Sequence, residues 1–427
     1  MTDTIFALSS GQPPAGIAVI RISGPQAGPV LQALAGRLPV PRKARFARLR
    51  DAAGETLDDA LVLWLPGPTT ATGDDIAELH LHGGRAVVRA VEAALGTFVG
   101  LRQAEAGEFT RRAFANGRID LAEAEGLADL LSAETDLQRR AALAMAGGAL
   151  SRQVDAWRDR LLVLAARVEA ILDFADEDDV AALPPDFAVQ VSQLSGEIGE
   201  WLARPHAEAL KEGYRVVLAG PPNAGKSTLF NALVESEAAI TSPVAGTTRD
   251  VILRPVAIGG IAFTFVDTAG LREEGHSDDA IEIIGIGRAR GELERADLVL
   301  WLGPESEGPQ GAWEIDAQAD DVSRETKRNP RHCVSAVTGE GMVELKQALI
   351  AAARIAMPRP GDAALNARQH GLLAEVQAAL DAVAYVRDPL LQAENLRLAR
   401  MAFDRLVGRA TTEDMLDALF GRFCIGK

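Results

Sequence analysis

The feature that most restricts the fold of this chain is the octapeptide Gly220-Pro-Pro-Asn-Ala-Gly-Lys-Ser227. It follows an apolar, strand-like run, Arg215 to Ala219, and it opens the helical stretch Thr228 to Leu233. Glycines here let backbone N–H groups turn toward phosphate oxygens at a helix N-terminus, while Lys226 reaches the β- and γ-phosphates and Ser227 ligates Mg²⁺. The sequence therefore predicts a phosphate-binding loop in an α/β domain, with nucleotide contacts from Asn223, Ala224, Gly225, Lys226, Ser227 and Thr228.

Two further elements follow in the order typical of GTPases, Gly246-Thr-Thr-Arg-Asp250 and then Asp267-Thr-Ala-Gly270. Thr248 is placed to close on Mg²⁺ and the γ-phosphate. Asp267 is placed to support the metal ion through its direct ligands, and Gly270 to donate its N–H to the γ-phosphate. The predicted contacts from these elements are Thr248, Asp267, Thr268, Ala269 and Gly270.

Of the two elements that select the base in GTPases, one matches well in this sequence and the other is incomplete. Ser335-Ala-Val-Thr-Gly-Glu-Gly341 resembles the segment whose backbone supports guanine, with Ser335 and Ala336 as contacts. The N-K-x-D signature is reduced to Ala317-Gln-Ala-Asp320, in which only the aspartate remains. A carboxylate there accepts hydrogen bonds from guanine N1–H and the 2-amino group. With Asp320 alone, we expect the chain to bind GTP more weakly than a complete signature would allow but still to prefer guanine. The alternative is that Asp320 is a surface carboxylate.

The residue that orients the attacking water in many GTPases is also absent from its usual position. Leu271 follows the Asp267–Gly270 element where many GTPases carry a glutamine, and an aliphatic side chain cannot polarise water. Most of the acids that follow are expected to be solvated charges. Glu282, at the start of a predicted helix, is one candidate for the catalytic role among Glu273, Glu274, Asp278, Asp279 and Glu282.

The length of 427 residues and the changes in apolar pattern along the chain predict a multidomain α/β protein. Residues 1–117 mix short β-branched runs with turn signals and predict an α+β domain. Residues 118–210 and 358–427 are rich in Ala, Leu and Glu with helical spacing, including the long proline-free stretch Leu121 to Ala146, and predict two parts of one helical bundle. Residues 211–357 alternate apolar runs with helical stretches, which predicts a Ras-like domain with a mainly parallel sheet, inserted into the helical domain.

Composition limits the location and the partners. The chain has 44 Lys+Arg and 60 Asp+Glu, a net charge of −16, which repels polyanions at long range and argues against a nucleic-acid coat protein. Two cysteines cannot form a disulfide framework, and the N-terminus lacks the pattern of a signal peptide. No stretch is apolar enough to span a membrane. We therefore expect a cytoplasmic protein.

Together with these elements, further motifs resemble one family over the whole chain, the MnmE (TrmE) family of tRNA-modification GTPases. The motifs are Asp3-Thr-Ile, Ile20-Arg-Ile-Ser-Gly24, Glu78-Leu-His-Leu-His-Gly-Gly84, Gly107-Glu-Phe-Thr-Arg-Arg-Ala-Phe114, Asp120-Leu-Ala-Glu-Ala-Glu125 and Phe423-Cys-Ile-Gly-Lys427.

The resemblance implies a folate-binding, dimerising N-terminal domain, a helical domain and an inserted GTPase domain. It further implies a homodimer that forms a heterotetramer with an MnmG/GidA-type flavoprotein. This complex would add a carboxymethylaminomethyl or aminomethyl group at C5 of the wobble uridine of certain tRNAs, using a tetrahydrofolate one-carbon unit. Potassium-stimulated GTP hydrolysis would drive dimerisation of the GTPase domains and a conformational cycle.

Individual residues take their roles from the same resemblance. The family's potassium ligands match Asn223, Ser242, Val244 and Thr247, and the loop residues Ser242 and Thr247 also approach the nucleotide. Asn223 has the alternative of being a turn residue. The family's water-orienting glutamate matches Glu282, which strengthens the assignment made from spacing.

The positions that hold a 5-formyltetrahydrofolate-like ligand match Arg21, Glu78, Arg118 and Lys427. Arg21 has the alternative of being a strand-end charge, Glu78 of being a solvated strand residue, and Arg118 of being a helix-start cation. Cys424 either takes part in one-carbon chemistry or packs as a small apolar side chain. His80 and His82 alternate on a predicted strand without further spaced ligands, which favours surface histidines over a metal site.

Two other classes of protein remain open from sequence. A ribosome-assembly GTPase shares the nucleotide motifs but usually carries an RNA-binding module, and none is recognisable in residues 342–427. A folate-dependent aminomethyltransferase regulated by nucleotide would not need the full set of switch motifs. Folate binding would distinguish the tRNA-modification GTPase from a ribosome-assembly GTPase. Rapid potassium-dependent GTP hydrolysis would distinguish it from an aminomethyltransferase.

Overall fold

The computed structural model describes residues 3–173, 183–235, 238–239, 252–267, 291–321, 326–359, 361–410 and 412–426. The chain forms two compact units, of which the first is Met1–Ala128 with Phe403–Lys427 and the second is Asp129–Ala402. Within the described ranges, no helix is long and apolar enough to cross a membrane.

In the described chain, strands and helices alternate in the N-terminal part. A second group of strands follows later, and the chain before and after that group is mainly helical. The strands are β1 (Thr4–Leu8), β2 (Ile17–Ser23), β3 (Arg45–Arg50), β4 (Thr56–Leu65), β5 (Ile76–His82), β6 (Leu101–Gln103), β7 (Tyr214–Ala219), β8 (Ala238–Ala239), β9 (Ile252–Ile258), β10 (Ile261–Asp267), β11 (Leu298–Trp301), β12 (Trp313–Ala317) and β13 (His332–Val334). The helices are α1 (Ala27–Ala35), α2 (Arg85–Gly96), α3 (Glu108–Ala115), α4 (Leu121–Leu131), α5 (Asp136–Ala146), α6 (Ala149–Asp173), α7 (Phe187–Leu202), α8 (Ala207–Glu212), α9 (Lys226–Glu235), α10 (Met342–Ala356), α11 (Ala367–Tyr385), α12 (Pro389–Leu406) and α13 (Glu413–Phe420).

The first unit is built on a six-stranded sheet with the order β3-β4-β5-β2-β1-β6. Neighbouring strands are antiparallel except β1 and β6, which are parallel. Side chains alternate between the faces, so Ile20, Val62 and Leu79 are buried on the face that α1 and α2 cover. Arg21 and Glu78 lie on the opposite face, directly across from each other in the register of β2 and β5.

The end of the chain folds into the same unit. The Phe420 ring of α13 lies 6.2 Å from that of Phe114 in α3, and Phe420 shares an apolar cluster with Leu121. A Cβ on Gly107 would come within 2.2 Å of the Phe420 carbonyl oxygen, and its φ is 68°, so glycine is required at this approach. The C-terminal segment is thereby held beside β1 and α3.

The second unit contains the remaining strands in one sheet, ordered β13-β12-β11-β7-β10-β9-β8. All neighbours are parallel except β9 with β10 and β8 with β9. The strand β10 is buried along its whole length beside β7, so these two strands form the centre of the sheet. Helices α9 and α10 pack on this sheet.

Helices on either side of this sheet in sequence pack together within the second unit. The helix α7 lies along α11, and the Ser195 hydroxyl donates a 2.6 Å hydrogen bond to Asp381 across them. The predicted helical stretch from Leu121 to Ala146 is divided, because Thr135 forms a capping box with Gln138 and starts a new helix, α5. The predicted multidomain α/β class is confirmed, and the boundaries at 117, 210 and 357 stay predictions.

Candidate functional site

The phosphate-binding loop connects the central strand β7 to α9. Gly220 has a φ of 151° and Gly225 a φ of 88°. A Cβ on Gly220 would lie 2.9 Å from the Gly303 backbone nitrogen, so a larger residue is excluded there by both space and backbone. The loop ends where α9 begins at Lys226, which directs the free N–H groups of the helix N-terminus at the loop.

Lys226 is buried at 5% exposure, and its ammonium donates to the carbonyl oxygens of Gly220 at 3.0 Å and Pro221 at 2.7 Å. The side chain is therefore folded back over the loop that precedes it. A buried ammonium close to a row of backbone N–H groups makes this loop a strongly anion-attracting part of the unit.

Ser227 and Asp267 meet at the carboxyl ends of two parallel strands. The Ser227 hydroxyl donates a 2.6 Å hydrogen bond to the Asp267 carboxylate, which is 1% exposed. The register that places Asp267 beside Leu218 brings the end of β10 to the start of the loop. A hydroxyl and a carboxylate oxygen are ligands of the hard type that Mg²⁺ prefers, so this pair fits a magnesium ion that accompanies phosphate.

The two elements predicted to select the base are joined directly. Ser335 is fully buried, and its hydroxyl donates a 2.5 Å hydrogen bond to Asp320. The same hydroxyl oxygen accepts the Thr338 N–H at 3.1 Å. Gly341 has a φ of 68°, and a Cβ there would come within 2.0 Å of the Cys333 carbonyl oxygen, so the segment after β13 turns tightly at this point. Asp320 is oriented by this segment, which the sequence alone did not reveal.

Gln318 occupies the position of the signature lysine and packs on the phosphate-binding loop. A Cβ on Gly225 would lie 3.4 Å from Gln318 Cγ and 3.4 Å from Nε2. A glutamine at the position of the signature lysine therefore still packs on the loop. A cavity of about 220 Å³ lies beside it and is lined by predicted nucleotide contacts together with residues that the sequence did not single out, among them Asp321. Its lining includes Gly225, Thr228, Asp320, Asp321 and Ala336.

Several predicted residues lie outside the described residues. They are Ser242, Val244, Thr247, Thr248, Thr268, Ala269, Gly270, Glu282 and Lys427. Asn223 is described and has a φ of 61°, a left-handed conformation that asparagine tolerates better than most residues. Its backbone thus accounts for asparagine as a turn residue and leaves its ligand role a prediction.

In the first unit, two of the predicted folate residues form one ion pair. Arg21 Nη2 lies 2.8 Å from Glu78 Oε1, and Arg21 Nε donates to the same oxygen at 3.0 Å. His80 Nε2 lies 3.3 Å from the other Glu78 oxygen, and the Arg21 guanidinium stands 5.9 Å from the centre of the Phe109 ring. The pair is partly exposed, with the Glu78 carboxylate between Arg21 and His80 and with the Arg21 guanidinium near an aromatic ring.

Arg118 and Cys424 are placed separately from this pair. Arg118 Nε donates to the Thr70 carbonyl oxygen at 3.2 Å, and it makes no hydrogen bond or ion pair with Arg21 or Glu78. Cys424 is a free, exposed thiol. The structure therefore brings together Arg21 and Glu78 but gives no direct contact from Arg118 to them.

His82 interacts with Asp58, whose carboxylate lies 2.8 Å from its Nδ1 and raises the pKa of the imidazole by hydrogen bonding and by charge. Among the described residues, no group of three or more His, Cys, Asp or Glu side chains could hold a metal ion. The two strand histidines each pair with one carboxylate.

A charge network around Arg112 was missed by the sequence reasoning. Arg112 is 1% exposed, with Nη2 at 2.9 Å from Asp3 and 3.2 Å from Glu108, and Arg102 bonds both of these carboxylates. Burial opposes ionisation of Asp3 and Glu108, but the neighbouring arginines lower the pKa of each. The network ties β1, β6 and α3 together next to the Arg21 face of the sheet. Its only sequence signal is the charge-rich motif that starts at Gly107.

Comparisons with known proteins agree over the length of the chain. Residues 4–118 match the family described as GTP-binding protein TrmE N-terminus, and residues 121–424 match the MnmE helical domain. The chain is 66% identical over 425 residues to the tRNA modification GTPase MnmE of Erythrobacter litoralis, with 100% of both chains covered. It is 66% identical over 439 residues to the protein of the same name from Novosphingobium aromaticivorans, again with 100% of both covered. Among solved structures, the G domain of the T. maritima FeoB iron transporter is 26% identical and covers 33% of this chain and 98% of its own, with a TM-score of 0.23.

Proposed function

The chain belongs to the MnmE (TrmE) family and is a GTP hydrolase of tRNA modification, and we propose that it acts with an MnmG/GidA-type flavoprotein at the wobble uridine of certain tRNAs. The complex adds a carboxymethylaminomethyl or aminomethyl group at C5 of that base. The observation that carries the nucleotide part is the 2.6 Å contact between Ser227 and Asp267 at the mouth of the phosphate-binding loop.

The described residues that would contact GTP form two groups, one at its phosphates and one at its base. At the phosphate end, the loop N–H groups and Lys226 accept the negative charge, and Lys226 exchanges its loop carbonyl partners for phosphate oxygens. At the base end, Asp320 accepts guanine N–H groups while Ser335 holds it in place. Gln318 covers the loop between the two ends.

Magnesium would be held by Ser227 and Thr248, with Asp267 behind it, and it would neutralise charge on the β- and γ-phosphates. The Ser227–Asp267 pair supports this assignment, because it places an exposed hydroxyl 2.6 Å from a buried carboxylate at the phosphate-binding loop. Water is oriented by Glu282, since Leu271 cannot do so.

Potassium stimulates hydrolysis through Asn223, Ser242, Val244 and Thr247, which match the family's ligand positions. Asn223 lies in the turn between β7 and α9. A bound potassium ion would supply positive charge beside the phosphates of GTP, the task that an arginine finger performs in other GTPases.

Folate binds on the Arg21 face of the first unit, with Glu78 taking the amino-amide edge of the pterin and Arg21, Arg118 and Lys427 serving its anionic groups. The ion pair of Arg21 and Glu78 supports this, because a half-buried carboxylate paired with an arginine that lies near the Phe109 ring suits a flat, hydrogen-bonding heterocycle. Bound folate would supply the one-carbon unit, and the exposed thiol of Cys424 is available to react with it.

The same face supports a homodimer. Ile17, Phe46 and Leu61 lie on it and are 62%, 66% and 48% exposed. Three large apolar side chains on one sheet face are typical of a surface that another chain covers. The proposed dimer joins two such faces, and the flavoprotein adds to it as a heterotetramer in the cytoplasm, where the two free cysteines remain reduced.

The test combines a cellular and a biochemical measurement. A strain that lacks this protein is complemented with the parent chain or with Lys226→Ala, and the wobble uridine is analysed by mass spectrometry. We expect the parent to restore the C5 modification and Lys226→Ala to fail, with loss of GTP hydrolysis by the purified variant. Normal modification in the uncomplemented strain would contradict the proposal.

A further inference from the structure

A second anion-attracting cavity lies in the second unit, away from the phosphate-binding loop. Its volume is about 320 Å³, within the range of small-ligand pockets. It is formed where the start of α5, the turn between β9 and β10, and the end of α10 meet. Its lining includes Leu137, Arg140, Ile261, Arg354, Pro358 and Arg359.

The buried part of this lining is apolar. Leu137 is 8% exposed and Ile261 is 4% exposed, and Pro358 is buried as well. The Leu137 N–H donates to the Gly260 carbonyl oxygen at 3.3 Å, which fixes the start of α5 against the turn. The cavity therefore has a firm apolar floor that suits a flat ring.

The exposed part of the lining is cationic. Arginines outnumber carboxylates three to one, and the one carboxylate, Asp136, is bonded by Arg140 at 2.6 Å and by the neighbouring Arg139 at 2.6 Å. Arg354 and Arg359 are exposed and have no carboxylate partner within the described part of the chain. Two uncompensated guanidinium groups beside an apolar floor stand out in a chain of net charge −16.

We propose that this cavity, which we call the arginine pocket, binds an unpaired nucleotide of the tRNA substrate. The base lies on Leu137, Ile261 and Pro358, and the flanking phosphates bond to Arg354 and Arg359. A guanidinium group can stack on a base and can donate two parallel hydrogen bonds to one phosphate, and a lysine ammonium can do neither. The inference rests on the proposed function for the identity of the RNA. Since the acidic chain repels RNA at long range, the pocket acts through direct contact.

The experiment measures binding of a fluorescent, unmodified tRNA transcript to the full-length chain by anisotropy over a range of salt concentrations. Arg354→Gln and Arg359→Gln should each lower the slope of log affinity against log salt by about one, and the double variant should bind about tenfold more weakly. Arg354→Lys should keep the slope but lose affinity. The matched control is Arg387→Gln, which neutralises another exposed arginine of the second unit without a carboxylate partner in the described chain.

Several outcomes would overturn the inference. If the parent binds tRNA and both glutamine variants keep its affinity and slope, the pocket is wrong while the proposed function stands. If the parent does not bind tRNA, the pocket is wrong as a tRNA site, while the proposed function is decided separately by the wobble-uridine modification in the complemented strain. If UMP binds the pocket as tightly as tRNA does, with the same loss in the variants, the ligand is a free nucleotide. If the glutamine variants bind tRNA normally but lose the flavoprotein partner, the pocket is a protein interface.

Discussion

Ser335 holds Asp320 through a 2.5 Å hydrogen bond, so the residue that remains of the base-specificity signature is oriented by a segment fifteen residues further along the chain. A carboxylate fixed in this way can present its second oxygen to guanine without first losing rotational freedom. The degraded motif is therefore compensated by its surroundings, and guanine recognition becomes testable at single residues.

Asp320→Asn should remove most of the preference for GDP over ADP. Charged hydrogen bonds contribute about 1.5–3 kcal/mol each, and adenine offers this carboxylate neither donor. The expected change in the affinity ratio is roughly ten- to hundredfold, measured by titration calorimetry with both nucleotides. Ser335→Ala should weaken GDP binding by a smaller factor. Equal competition by ADP and GDP for the parent chain would show that Asp320 does not read the base.

Gln318→Ala should weaken both GDP and ADP, because the lost side chain covers the phosphate-binding loop and not the base. The substitution removes one methylene group and the terminal amide from the packing against Gly225, and a methylene at about 0.8 kcal/mol predicts roughly fourfold weaker binding. Gln318→Met keeps a chain of similar length and is the matched control. If alanine binds nucleotide as well as methionine does, the packing on Gly225 has no energetic role.

Asn223→Gly separates a potassium ligand from a turn residue. Glycine adopts the observed φ of 61° without strain but has no side-chain oxygen. We expect the parent to hydrolyse GTP faster in potassium than in sodium, and the glycine variant to hydrolyse it at one rate in both. Retained stimulation in Asn223→Gly would leave asparagine as a turn residue alone.

Glu282→Ala should keep nucleotide affinity and lose most of the turnover, since a group that orients water acts in the transition state and not in ground-state binding. Glu282→Gln is the control for side-chain size. Single-turnover hydrolysis and nucleotide affinity are measured side by side. An unchanged turnover number would transfer the role to another acid of the segment.

Acid should loosen β1 and α3 through Asp3 and Glu108. The pKa of each carboxyl is lower in the folded protein than its ordinary value of 3.8 or 4.5, so folding favours the ionised forms. This stabilisation is complete above the ordinary values and is lost as the pH falls through the lower, folded values. The protection factors of β1 and α3 peptides against hydrogen exchange should fall below about pH 4.5. Arg112→Met should lower these protection factors at pH 7 as well, because it removes the buried guanidinium that bonds both Asp3 and Glu108. Unaltered protection factors in this variant would disprove the role of the network.

Much of the fold follows from patterns that are local in the chain. The strand-like run Arg215 to Ala219 lies in β7, which begins one residue earlier at Tyr214 and ends at the same residue. The division of the long helical stretch at Thr135 was missed, because the capping interaction with Gln138 outweighs good helical spacing on both sides. Helix ends depend on one or two hydrogen bonds, which apolar periodicity does not report.

The sequence by itself determined the phosphate-binding loop and the family, because the glycines, Lys226 and Ser227 act within one turn between a strand and a helix. Only the tertiary structure decided that Gln318 covers Gly225, that Ser335 orients Asp320, and that Arg354 and Arg359 border one pocket. These partners are brought together by the order of parallel strands and by the helices that pack on the sheet. That order is fixed by burial of whole faces, a property of the assembled core that no short stretch of sequence contains.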